Sequence, residues 1–121
     1  MKNTLKLIRK DTKYKQIAES LISGKDCHVQ GLWGSSAAFL IAGLASDKDL
    51  SRNGEILFVT SSIEEAEEVF EDVNVFLHEN PIFFPVSEDA ISAESLPDTN
   101  TYVEQSNVLY KLLSGNEDSA C

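Results

Sequence analysis

The chain has 121 residues, with 10 Lys or Arg against 20 Asp or Glu, and therefore a formal charge of −10. Its 42% hydrophobic and 25% charged residues exclude a disordered or fibrous protein. The acidic balance argues against binding to the phosphate backbone, so no direct nucleic-acid binding is expected from this segment. The two cysteines form no C-x-x-C pair, which predicts neither a disulfide framework nor a zinc site. A cytoplasmic location is expected, with no membrane span.

The first part of the chain, residues 1–25, is predicted to be a basic arm followed by a lead-in helix. Apolar residues recur at helical spacing over residues 14–22, and Gly24 is placed to end that helix. The arm is predicted to be solvated. Its basic residues are Lys2, Lys6, Arg9, Lys10, Lys13 and Lys15.

Residues 26–121 are predicted to form one α/β domain. Short apolar runs at residues 27–30, 55–60 and 81–86 are typical of strands, the second of them of a central parallel strand. Helices are predicted from a Ser35 cap, from Ser61 or Ser62 to about Leu77, and over residues 99–113. This alternation predicts a mostly parallel sheet flanked by helices. Polar residues 87–98 are predicted to be a loop, and the domain is expected to be truncated at its C-terminal end.

The turn between the first predicted strand and its helix is compared with a phosphate-binding loop, which follows G-x-x-x-x-G-K-[ST]. In such a loop the Lys reaches the β- and γ-phosphates and the hydroxyl holds Mg²⁺. Here Ser36 replaces the second glycine, and Ala37 and Ala38 replace the Lys and the Ser or Thr. The residues of this degenerate loop are Gly31, Gly34, Ser35, Ser36, Ala37 and Ala38.

The loop is predicted to be non-catalytic because alanine supplies neither a cation nor an oxygen for phosphoryl transfer. Weak anion binding at the helix N-terminus is the most that is expected, with no metal and no cofactor. The alternative is that residues 31–34 are merely a tight turn from strand to helix. Trp33 is predicted to cover the edge of the core. The acidic residues of the helix that begins near Ser62 are predicted to form a solvated face.

The sequence resembles the N-terminal segment of bacterial transcription-repair coupling factor over most of its length. The resemblance lies in the turn at residues 31–38 with the helix after it, and in the run at residues 56–60 followed by Glu65-Ala66-Glu67. It continues in Phe84-Pro85 with Glu88 soon after, and in residues 108–113. That segment is similar to the first domain of the nucleotide-excision-repair helicase, with its ATP site degenerated. The resemblance therefore implies a degenerate P-loop NTPase-like fold.

The resemblance also implies a role for the parent protein, which displaces RNA polymerase stalled at DNA lesions and recruits nucleotide-excision repair. This segment would be its non-catalytic scaffold and interaction domain, whereas the ATP-dependent DNA translocase lies elsewhere in the parent. The implied partners are the remainder of the parent and, for the full-length parent, the excision-repair protein UvrA, RNA polymerase and DNA. Two alternatives stay open: a stand-alone α/β protein-interaction module and a nucleotide-binding NTPase fragment.

Overall fold

The computed structural model describes residues 2–51, 55–77, 81–86 and 99–118, and these residues form helices joined by non-helical segments. The chain divides into two compact units, residues 1–81 and residues 82–121. None of the helices in the described ranges is long and apolar enough to cross a membrane. In chain order the helices are α1 (Lys2–Ile8), α2 (Thr12–Ile22), α3 (Ser36–Ala45), α4 (Lys48–Ser51), α5 (Ile63–Phe76) and α6 (Thr99–Asp118).

Helix α2 has clear signals at both ends. The Asp11 side chain accepts hydrogen bonds from the N–H groups of Lys13 and Tyr14, at 2.8 and 3.0 Å, as an N-cap residue does. At the other end Gly24 has φ +70°, and the N–H of Lys25 donates to the carbonyl of Ser20, which is a Schellman ending. The predicted helix and its glycine stop are confirmed.

Helix α3 is the centre of the first unit and packs against α1, α4 and α5. Its buried residues are small, and they let neighbouring helices come close: Ala38, Ala42 and Gly43. A Cβ atom on Gly43 would lie 3.2 Å from Ile8 and 3.3 Å from the Tyr14 ring. The rings of Phe39 and Phe76 meet edge to face at 5.1 Å, a contact that adds about 0.5–1.5 kcal/mol to area burial.

Helix α5 begins at a capping arrangement close to the predicted one. The Ser62 hydroxyl accepts a hydrogen bond from the N–H of Glu65 at 3.2 Å. The Glu65 carboxylate reaches back and accepts from the N–H and the hydroxyl of Ser61, at 3.1 and 2.8 Å. These two bonds lower the pKa of Glu65. Val73 is buried in the first unit, while Glu64, Glu65, Glu67, Glu68 and Glu71 are exposed, so the predicted helix and its solvated acidic face are confirmed.

The second unit is built on α6. The side-chain amide of Gln105 donates to the carbonyl of Pro85 at 2.7 Å, which holds the non-helical residues 82–86 of this unit against the helix. The helix runs to Asp118, so the prediction that it stops at Ser114-Gly115 is wrong. A glycine after the last apolar position ends a helix only if it adopts a left-handed conformation, and that is a choice glycine has rather than an obligation.

The predicted α/β fold is wrong, because the described residues contain helices and no strand or sheet. Residues 27–30, 55–60 and 81–86 are all non-helical, but no backbone ladder joins them. A run of apolar residues is a local signal, whereas a parallel ladder needs pairing between segments far apart in sequence. A central parallel strand must also be covered on both faces, and residues 55–59 are exposed.

The basic arm also differs from its prediction, because residues 2–8 form α1 and pack on α3. Leu5 is buried there, which explains why the arm is not simply solvated. Helix α4 replaces part of the polar loop expected over residues 47–54. The loop predicted at residues 87–98 lies outside the described residues. The division at residue 81 also differs from the boundary expected after residue 25.

Candidate functional site

The degenerate loop leads directly into α3, as the sequence predicts. Gly31 has φ +79° and Gly34 has φ +55°, a left-handed conformation that residues with a Cβ rarely adopt. These two glycines turn the chain on either side of Leu32 and Trp33, and α3 begins at Ser36. The turn and the helix are present, but the strand expected before them is not formed.

The serines of the loop are committed to local bonds or to none. The Ser36 hydroxyl donates to the Trp33 carbonyl at 2.6 Å, and the Ser36 N–H donates to the same oxygen at 3.1 Å. Ser35 precedes the helix but makes no side-chain cap bond, so the predicted serine cap is wrong. With φ −75° and ψ 7°, the Ser35 backbone is already close to helical, rather than in the extended conformation that aims a capping oxygen at the first turn.

The six loop residues thus occupy one continuous turn of chain but differ in exposure. Gly31, Gly34, Ser35 and Ser36 are exposed, Ala37 is half-buried and Ala38 is buried in the packed interior of α3. No Lys or Arg occurs between Lys25 and Lys48 in the sequence. The site therefore has helix N–H groups for an anion but no cationic side chain of its own.

Trp33 does not cover the core. Its side chain is 84% exposed at the tip of the turn, so the packing prediction is wrong. The two positive-φ glycines that bracket it let the chain turn outward there. As the only tryptophan in the chain, Trp33 reports by its fluorescence on any ligand that reaches this loop.

A second polar cluster, which the sequence analysis missed, lies at the C-terminal end of α3. The Tyr14 hydroxyl is 3.1 Å from the Gly43 carbonyl and 3.1 Å from the Asp47 carboxylate, both of which accept. The Arg9 guanidinium donates to the carbonyl and, at 2.9 Å, to the hydroxyl of Ser46. Cationic groups suit this position because the carbonyls at a helix C-terminus carry partial negative charge.

Burial raises the pKa of Tyr14 to about 12, and the charge and hydrogen bond of Asp47 act in the same direction, against the opposing charge of Arg9. The phenol is therefore protonated at neutral pH and works as a donor. The cluster ties α2 and the end of α1 to the C-terminus of α3, across 29 and 37 residues of sequence respectively. No local motif could have revealed it.

Neither place holds an evident metal site. The described residues contain no group of three or more His, Cys, Asp or Glu side chains that could ligate a metal ion. Comparison of the chain with protein-family models, with curated proteins and with solved structures finds no match.

Proposed function

We propose that this chain is a non-catalytic interaction module from the N-terminal part of a bacterial transcription-repair coupling factor. One observation carries the non-catalytic part: where a phosphate-binding loop needs a cation and a hydroxyl, the turn before α3 has Ala37 and the buried Ala38. Phosphoryl transfer depends on positioning and charge stabilisation, and neither methyl group supplies them.

The interaction part of the proposal is supported by apolar side chains on the surface. Leu57 and Val59 are largely exposed, as is Trp33 at the tip of the loop. Exposed apolar groups that are contiguous mark places where another surface is bound. A scaffold that has lost an enzymatic site keeps such surfaces for its partners.

The choice of parent is supported by the sequence resemblance, and by nothing in the helical architecture. In that parent the ATP-driven translocase lies outside this segment, and the whole protein displaces stalled RNA polymerase and recruits the excision-repair protein UvrA in the cytoplasm. The segment's own partners are then the remainder of the parent and the proteins that the parent assembles, not DNA.

The proposal is tested on the full-length parent and a version that lacks this segment. The shortened parent is expected to keep its DNA-stimulated ATPase rate, because the chain contributes no catalytic group. The isolated chain, immobilised after circular dichroism has established its helices, is expected to bind the shortened parent, RNA polymerase or UvrA. Loss of the ATPase on deletion, or no binding to any of the three proteins, would contradict the proposal.

A further inference from the structure

We infer that residues 55–60 are a docking surface for an extended, basic segment of a partner protein, an inference that deepens the proposed function and rests on it. The four central residues, here called the apolar strip, lie between α4 and α5 in the chain. They are Ile56, Leu57, Phe58 and Val59.

The side chains of the apolar strip alternate in exposure. Leu57 and Val59 are 87% and 78% exposed, whereas Ile56 and Phe58 are 48% and 45% exposed. A period of two is that of an extended backbone, in which successive side chains point to opposite faces. One face of the strip is therefore presented almost entirely to solvent, and it carries two large apolar groups.

The backbone of the strip is also available. No backbone hydrogen bond joins residues 56–59 to any other residue in the described ranges. An extended segment with open N–H and C=O groups binds another extended segment by adding a strand, with side-chain contacts on alternate positions giving selectivity. The occupant is therefore an extended peptide rather than a helix.

The charge around the strip selects a basic occupant. From residue 55 to residue 77 the sequence contains no Lys or Arg. Its acidic residues are Glu55, Glu64, Glu65, Glu67, Glu68, Glu71 and Asp72. All but Asp72 are exposed, and they begin immediately before the strip and continue along α5 after it. A partner segment with Lys or Arg is attracted and an acidic one is repelled.

A second copy of this chain is a poor occupant. Its own apolar strip has the same acidic flanks, so strip-to-strip pairing brings like charges together. Its basic residues do not help, because those at positions 2–8 and 12–22 lie in α1 and α2 and have no extended backbone to offer. Charge complementarity thus favours a different protein.

The test measures binding of fluorescently labelled ten-residue peptides to the full chain by anisotropy. The probe alternates Lys and Val; two controls alternate Glu and Val, or Lys and Ser. Only the Lys-Val peptide is expected to bind saturably, because it alone combines apolar contacts with the matching charge. Its binding is expected to weaken as salt is raised, since the flanking carboxylates are exposed.

Variants locate the binding. The double substitution Leu57→Ser and Val59→Ser is expected to weaken binding about tenfold, as truncation of central contacts does. Leu113→Ser is the matched control, because Leu113 is 74% exposed on α6 and outside the strip. Replacing Glu64, Glu67 and Glu68 by Gln is expected to remove most of the salt dependence. Circular dichroism checks that each variant is as helical as the unsubstituted chain.

Three results would overturn the inference: no binding of the Lys-Val peptide, equal binding of the Glu-Val peptide, or equal loss in Leu113→Ser. Self-association that Leu57→Ser and Val59→Ser abolish would also overturn it, because the occupant is then a second copy. Mg²⁺ and ATP are added to the same sample. A saturable change in Trp33 emission contradicts the proposed function, whereas failure of the peptide alone contradicts only the docking surface.

Discussion

Among single residues, Tyr14 makes the contacts on which the first unit most depends. Its ring is buried, and its hydroxyl serves both the Gly43 carbonyl and the Asp47 carboxylate. Tyr14→Phe keeps the ring but leaves both acceptors without this donor. We expect the free energy of unfolding to fall by about 1–3 kcal/mol, measured by urea denaturation. Tyr110→Phe, at an exposed position on α6, is the control and is expected to change it little.

Tyr14 also predicts an alkaline limit to stability. Its pKa is about 12 in the folded chain against about 10 for an ordinary tyrosine. Because the folded state favours the protonated phenol, this contribution is complete below pH 10 and is lost as the pH rises toward 12. The difference in unfolding free energy between the native chain and Tyr14→Phe should therefore shrink over that interval. A difference that stays constant from about pH 9 to about pH 12 would count against the raised pKa.

Individual residues also show what sequence reasoning misses. Trp33 was expected to pack because tryptophan is large and apolar, but two left-handed glycines place it outside. Arg9 was expected to be solvated, yet it binds Ser46 across 37 residues of sequence. Each outcome depends on where the backbone goes, and residue type alone does not contain that information.

Among the elements, α3 depends on close approach at Gly43. A Cβ at this position would meet the Tyr14 ring at 3.3 Å, and the Tyr14 hydroxyl holds that ring in place through the carbonyl of Gly43 itself. Overpacking costs about 1–3 kcal/mol, and alanine recovers about 1 kcal/mol of helix propensity. We therefore expect Gly43→Ala to lower the unfolding free energy by about 1 kcal/mol, measured by urea denaturation.

The control for that substitution is Gly43→Ala combined with Tyr14→Phe. Once the ring loses its hydroxyl anchor it can shift, so the alanine is expected to cost less in the double variant than alone. If Gly43→Ala raises stability instead, helix propensity outweighs packing and the close approach does not restrict this site.

The helices were predictable and the sheet was not, for a physical reason that separates the two. Helix α5 is specified locally: Ser62 caps it, Glu65 completes the cap, and apolar residues recur at its own period. Residues 55–60 show an equally plain apolar run, but a strand exists only when a distant segment pairs with it. Proline at positions 81 and 85 also removes ladder donors from the third run.

At the scale of the whole molecule, an acidic surface and exposed apolar segments act against each other. The formal charge of −10 keeps copies apart at pH 7, while the sequence pI is about 4.5. As the pH falls toward 4.5 the repulsion disappears and the apolar strip is free to associate. Light scattering on a descending pH series should show association rising near the pI. Leu57→Ser with Val59→Ser should reduce it, and equal association of this variant would exclude the strip.

Of the candidate site, the sequence could predict the turn, the helix after it and the missing cation, since all of these follow from residues 31–38. It could not predict the fold in which they are placed. The resemblance to a coupling factor implied an α/β domain, and the helical architecture does not agree with that implication. The account of function therefore depends on the chemistry of the loop and on exposed surface, not on fold.

The most direct test of the central claim is titration of the folded chain with ATP and Mg²⁺, followed by Trp33 emission and by calorimetry. Trp33 lies in the loop and is the only tryptophan, so a change in emission reports on binding at this place. We predict no saturable change in emission and no heat of binding. Micromolar, Mg²⁺-dependent binding that Ala37→Glu abolishes, by placing a carboxylate at the helix N-terminus, would contradict the claim that this loop has lost its nucleotide site.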